Sequence, residues 1–241
     1  MNILAVDTAG KTAGVALLQD DRLLYEAYLA AGMTHSETLL PMIDTCLKLC
    51  HLSPADIDLY GVNAGPGSFT GLRIGLAAVK GMALPHGTLC APVSTLEALA
   101  AAHTGKGTVL CALDARRAQV YSAAFDLETH TRLLDDDARA VTELADFIKT
   151  CKKPLFFVGD GAALCYNRYS QEEGVLPMPE ALVHGRAAAV ALVAQQMERA
   201  GQAVPAAQLL PDYHRLSQAE RERAERLAAQ ANVTTAPTVG G

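Results

Sequence analysis

The segment Gly65-Pro66-Gly67-Ser68-Phe69-Thr70-Gly71-Leu72-Arg73-Ile74-Gly75-Leu76 constrains this chain more than any other. It joins an apolar, strand-like run at 58–64 to an almost wholly apolar helix through a glycine-proline loop. Backbone N–H groups exposed by glycines at a helix N-terminus form a ready anion site, so the loop has the look of a phosphate cradle. Its spacing satisfies neither nucleotide fingerprint. Gly65 and Gly67 give G-x-G, but Thr70 stands where a dinucleotide motif has its third glycine, and no Gly-Lys-Ser/Thr follows as a P-loop requires. Gly10-Lys11-Thr12 does end like a P-loop, yet Ala5 takes the first glycine's place and Thr12 opens a strand where a helix is needed. There a hairpin turn is the better reading, with Asp7-Thr8 closing the first strand and Gly10 supplying the turn.

Around these loops the apolar pattern alternates in a definite order. Residues 2–7, 12–18 and 23–29 read as three antiparallel strands, with Asp20-Asp21 at the second turn. Thr34 and Glu37 predict a capping box opening a helix to about Cys50, kinked at Pro41. A strand at 58–64, the glycine loop, a helix to about Leu84, a strand at 89–93 and a helix capped by Ser94 follow. The order βββαβαβ is the signature of one lobe of the actin-like fold, an α/β architecture whose mixed sheet carries helices on its faces. Gly105-Lys106-Gly107 then breaks the chain. Strands at 108–113 and 119–125 and a weaker piece at 132–134 repeat the opening, before a helix at 143–151, a strand at 155–159, a helix near Ala163 and one at 187–199. The expected organisation is a first lobe at 1–104, a second, reduced lobe at 105–216, and a charged terminal helix with a flexible tail at 217–241.

Half of the 241 residues are apolar and 19% are charged, enough to bury the cores of two small lobes. The net charge of -6, with no dense basic run, gives no electrostatic footprint for gripping a phosphate backbone. The start of the chain lacks a basic n-region and long apolar core, and no stretch is as long as a membrane span, so a cytoplasmic location is expected. The six cysteines, Cys46, Cys50, Cys90, Cys111, Cys151 and Cys165, form no C-x-x-C pair or Cys/His cluster and read as buried, reduced thiols.

Candidate chemistry is sparse. In an actin-like fold Asp7 stands where a hydrated cation would be met, and Gly159-Asp160-Gly161-Ala162-Ala163-Leu164 is similar to the turn over which members of that fold place adenosine. Leu164 is apolar where the related motif is polar. Asp7, Gly10, Gly159 and Gly161 are therefore candidates for a vestigial nucleotide site, and neither a cofactor nor a metal is expected. His35-Ser36-Glu37 has the H-x-E of zinc deaminases without the Pro-Cys-x-x-Cys, so it reads as helix-start chemistry. No G-x-S-x-G or other nucleophile arrangement is present. Arg116 and Arg117, at a tight turn after Asp114, are expected to make local or partner contacts, with an ion pair to Asp114.

Surplus apolar helix surface is more prominent than catalytic chemistry. The first helix sets Leu39, Leu40, Met42, Ile43, Cys46 and Leu47 on an arc wider than one sheet needs. The second carries Leu72, Ile74, Leu76, Val79 and Met82 with small residues between. Together they suit a helical-bundle interface, where stable contacts bury on the order of 1,200–2,000 Å².

The glycine loop, together with Met1-Asn2-Ile3-Leu4-Ala5-Val6-Asp7-Thr8, Asp114-Ala115-Arg116-Arg117 and Leu210-Pro211-Asp212-Tyr213, resembles the TsaB (YeaZ) family from Met1 to about Arg215. That family is the non-catalytic subunit of the bacterial machinery that makes threonylcarbamoyladenosine on tRNA. The resemblance implies an accessory subunit rather than an enzyme. It would pair through helices 34–51 and 70–84 with the catalytic subunit TsaD, with the ATPase TsaE completing the complex. A homodimer would form when the partner is absent, and tRNA would be met only indirectly. TsaD carries His-x-x-x-His in the segment matching 92–99, which has no histidine here. The rival readings are a small actin-fold ATPase or kinase using Asp7 and the glycine turns, and a peptidase, for which no constellation is present.

Overall fold

The computed structural model describes residues 1–213. Strands β1 (Asn2–Asp7), β2 (Ala13–Gln19) and β3 (Arg22–Leu29) form the antiparallel opening, in register from Asn2 opposite Gln19 to Asp7 opposite Gly14. Helix α1 (His35–Leu49) leads to β4 (Leu59–Gly65), which lies parallel to β1. Helix α2 (Phe69–Ala83) leads to β5 (Leu89–Ser94), parallel to β4. With the two-residue β10 (Val204–Pro205) on its edge, the first sheet runs β10-β5-β4-β1-β2-β3, the actin-like order. β1 is apolar at consecutive positions because it is central and covered on both faces. Leu4 and Val6 face α1 and α2, whereas Ile3 and Ala5 face Val190, Ala191 and Ala194 on the other side.

Those last residues belong to α6 (Ala187–Arg199), whose bounds match the expectation but whose home does not. The sequence reading placed 105–216 in the second lobe, and the chain instead returns α6 and β10 to the first sheet. Gly61 makes this possible, since a Cβ there would stand 2.8 Å from the Ala194 Cβ. An apolar helix face does not name the sheet it will cover, which is why the pattern alone assigned α6 to its sequence neighbours.

The second sheet runs β8-β7-β6-β9, from β6 (Thr108–Arg116), β7 (Gln119–Asp126), β8 (Arg132–Ala140) and β9 (Leu155–Val158), with α4 (Ala145–Thr150) and α5 (Ala162–Tyr169) on one face. Its other face packs on α3 (Thr95–Ala101). Leu96, Leu99 and Ala100 of α3 join Val109, Cys111 and Phe125, while Ala98 joins the first sheet's core, so α3 is shared by the two lobes. Ser94 fastens this junction. Its Oγ accepts the Glu97 N–H at 3.3 Å and donates to Asp136 on β8 at 2.6 Å, and Arg132 pairs with both Asp136 and Glu97.

Three local expectations are corrected. β8 is nine residues long, not the short piece at 132–134, because an edge strand rich in aspartate is held by its ladder to β7 rather than by propensity. At the start of α1 the Glu37 N–H bonds the Thr34 carbonyl and the Thr34 hydroxyl donates to the Glu37 carboxylate at 2.7 Å, so there is no reciprocal capping box. The helix assigned to 143–151 begins as a single tight turn, Val141–Leu144, before α4. The charged segment at 217–241 lies outside the described residues.

Candidate functional site

The glycine loop is filled by the chain itself. The Ser68 N–H bonds the Ala9 carbonyl at 2.7 Å, the Ser68 Oγ caps α2 by accepting the Gly71 N–H at 3.3 Å, and the Thr8 hydroxyl donates to the Gly71 carbonyl at 2.8 Å. A Cβ at Gly71 would collide with the Thr8 carbonyl, and one at Gly67 would stand 2.6 Å from the Ala9 carbonyl. At Gly65, with φ 145, it would collide with the Asp212 carbonyl, where the Asp212 N–H bonds Ala64 at 2.8 Å. The loop that resembles a phosphate cradle is thus a place where three backbone segments meet. These glycines clear space for peptide groups, not for an anion.

Beside this junction the end of β1 places Asp7, 4% exposed. Its Oδ1 accepts the Ala9 N–H at 3.1 Å and the Asn63 side-chain N–H at 2.8 Å. Its Oδ2 lies so near Gly185 that no side chain fits there. Burial raises the Asp7 pKa, opposed by those two hydrogen bonds and by the nearby His35 and His184. The cavity it faces holds about 20 Å³ and is also lined by Gly10, Thr95, Leu99 and Gly159. That is room for about one water. Thr95 and Leu99, one turn apart on α3, face it, and the buried Thr95 Oγ1 has no hydrogen-bond partner. Asp160, His184 and Thr12 also line it, but Asp160 is engaged by the Asp114 N–H and Lys11 adds a positive charge. Among the described residues no three His, Cys, Asp or Glu side chains gather closely enough to hold a metal ion, so this donor set does not fit the metal that an actin-like nucleotide site would hold.

Gly159 and Gly161 lie over β6 in the same manner. The Gly161 N–H bonds the Ala112 carbonyl at 3.0 Å, and a Cβ at Gly159, with φ 95, would collide with that same carbonyl. Between them Asp160 accepts the Asp114 N–H at 2.9 Å. Asp114 in turn accepts the Arg116 backbone N–H at 2.7 Å, where an ion pair with the arginines was expected. A wider cleft of about 460 Å³ opens alongside, lined by Lys11, Gly159, Asp160, Tyr166, Met178, Glu180 and His184. Asp7, Gly10 and Gly159 thus meet at the small cavity, Gly159 alone of them also lines the wider cleft, and Gly161 lines neither. The sequence reading missed Tyr166, Met178 and His184 in the wider cleft, because they come from separate segments with no local motif.

The helical arc divides sharply. Leu39, Ile43, Cys46 and Leu47 of α1 and Leu72, Leu76 and Val79 of α2 are buried in this chain's own core, against β1, β2 and β4. Their assignment to an intersubunit surface is corrected: an apolar stripe looks the same whether its own sheet or a partner covers it. Facing outward are Leu40, 58% exposed, and the small Ala77 and Gly81, while Met42, Ile74 and Met82 pack against the rim of the core and leave only part of their surface exposed. Four of the six free cysteines are buried and two half-buried, and burial pushes the Cys46 and Cys165 thiols up to about 12.

A sequence profile described as "TsaD: tRNA N6-adenosine threonylcarbamoyltransferase" matches residues 29–223. A Bacillus subtilis protein named tRNA threonylcarbamoyladenosine biosynthesis protein TsaB is 30% identical over 91% of this chain and 96% of its own length. The chain belongs to the TsaB (YeaZ) family. The Escherichia coli TsaB is 35% identical over 58% of this chain and 62% of its own. The solved structure of YeaZ from Pseudomonas aeruginosa superposes with a TM-score of 0.70 at 27% identity, covering 88% of this chain and 99% of that one. A Clostridium difficile activator of 2-hydroxyisocaproyl-CoA dehydratase, solved with bound ADPNP, shares the fold alone, with a TM-score of 0.50 at 10% identity over 84% of this chain and 97% of that one.

Proposed function

We propose that this TsaB-family chain is an accessory subunit in the formation of threonylcarbamoyladenosine on tRNA, without a catalytic site of its own. It pairs with the TsaD transferase through the outward sides of α1 and α2, with the ATPase TsaE joining that complex in the cytoplasm. A homodimer through the same sides forms when the transferase is absent, and tRNA is engaged only through the assembly. The observation that carries this reading is the apolar surface left uncovered on two adjacent helices, by exposed Leu40 and by the exposed parts of Met42, Ile74 and Met82, beside small residues that permit close helix approach. The names of the relatives supply the pathway. The packing of Thr8, Ala9 and Asp212 into the glycine loop supports it further, since a triphosphate would have to displace protein backbone there.

The cleft beside Lys11 favours a second reading, a small ATPase or kinase, because its volume suits a small ligand. Reconstitution with purified transferase and ATPase separates the two. The accessory role predicts co-elution with the transferase and tRNA modification that requires this chain, with no ATP turnover by the chain alone. Micromolar binding of Mg-ATP with turnover by the isolated chain would favour the second reading.

A further inference from the structure

Two sequence motifs far apart in the chain meet at the start of α2, and the role proposed above does not account for their contact. After β10, Ala206 and Leu209 are buried in the first sheet's core, and Asp212 bonds the end of β4. This strap brings Tyr213 onto Phe69, with ring centroids 4.9 Å apart and planes 27° apart. Arg73, one turn further along α2, lies with its Cζ 3.7 Å from the Phe69 centroid and donates its Nε–H to the Tyr213 hydroxyl at 2.9 Å. Among the described residues its terminal guanidinium nitrogens have no acceptor. Yet Arg73 is exposed, and Tyr213 is 40% exposed.

We infer that the Phe69–Arg73–Tyr213 cluster anchors the partner-binding surface, presenting a pre-set guanidinium to a carboxylate on the partner subunit. The inference rests on the pairing role proposed above and adds the chemistry of the contact. Three features support it. Arg73, Ala77 and Gly81 are the exposed positions of α2 at four-residue intervals, so the cluster stands at the head of the outward ridge flanked by Ile74, Ala78 and Met82. α2 carries Arg73 and Lys80 and no acid, which favours an acidic surface opposite it. An arginine held by ring contact and one hydrogen bond has lost most of its rotamer freedom already, and its free edge keeps the fork geometry that pairs with a carboxylate. Arginine and tyrosine are the residue types that dominate such contacts.

The test measures binding to the immobilised TsaD transferase subunit from the same organism, at low and at physiological salt, for full-length chains that share the wild-type melting temperature. Arg73→Ala is expected to weaken binding about tenfold or more and to flatten its salt dependence. Arg73→Lys keeps the charge without the fork and is expected to stay weak, and Tyr213→Phe, which keeps the ring, to lose only part of the affinity. If Tyr213→Ala lowers the melting temperature, Tyr213→Phe and Arg73→Lys decide the matter. Wild-type affinity and salt dependence in both Arg73 variants, alongside a Leu40→Asp variant that no longer binds, would overturn the anchor and leave the helical face standing. Wild-type binding by all of them, or no binding by the wild type, would remove the face as well.

Discussion

Asp7 carries one oxygen that is fully engaged and one that leaves no room for a side chain at Gly185, beside a cavity that holds about one water, far less than a carboxylate's hydration shell. Because burial raises its pKa in the folded chain, the folded state holds the Asp7 proton more tightly than the unfolded state does. The associated stability is fully present below the ordinary aspartate value and is lost as pH rises through the raised folded value. Asp7→Asn keeps the acceptor for Ala9 and Asn63 and cannot ionise. It is therefore expected to melt above the wild type at neutral pH, by about 2–4 °C per kcal/mol relieved in a chain of this size. The gap should close as pH falls through the folded value. Circular-dichroism melts across that range check this, and a gap that does not change with pH would mean that the charge costs nothing. The candidate positions themselves were legible in the sequence, but their purpose was not. Gly65, Gly67 and Gly71 advertise that something comes close to the backbone, and only the fold reveals that it is Asp212, Ala9 and Thr8 rather than a phosphate.

At the scale of the element, α1 offers a direct comparison between two neighbouring apolar positions. Ile43 is 3% exposed and packed in the core, while Leu40 projects outward. Ile43→Asp is expected to lower stability by about 3–5 kcal/mol through an unpaired buried charge. Leu40→Asp should change the isolated chain by about 0.5 kcal/mol or less while abolishing capture of the transferase. Urea titrations and a pull-down on the two variants check both halves. Equal capture by the folded Leu40→Asp variant and the wild type would count against the proposed face. Most elements could be read from their apolar period to within a few residues, α6 to the residue. What escaped were β8, which its neighbour holds in place, and β10, which is two residues long. Which side of α1 its own sheet would cover also escaped, because periodicity records that a face is apolar and not what lies against it.

For the molecule as a whole, the question is how firmly the lobes are joined. Ser94, Asp136, Arg132 and Glu97 tie the start of α3 to β8, and Arg132 also lies over Phe125, 4.6 Å from its ring centroid. Asp136→Ala is expected to cost about 1–3 kcal/mol by leaving Ser94 and Arg132 without their shared acceptor. It should also speed amide exchange first at α3 and β8, before the rest of either sheet. Exchange that rises evenly across the chain would show that the lobes unfold together whether or not this tie is present.

The return of α6 and β10 to the first sheet also orders events on the ribosome. The β1–β5 sheet is synthesised early, but the helix that covers its second face begins at Ala187 and its edge strand at Val204. At about 5–20 residues per second, the chain between β5 and α6 takes on the order of 5–20 s to emerge. Through that interval Ile3, Ala5, Leu59 and Val93 await their cover, and the nascent chain carries an unfinished apolar sheet that chaperones or a premature second copy would find. A stop codon late in the message would therefore strip the oldest part of the fold, not the newest.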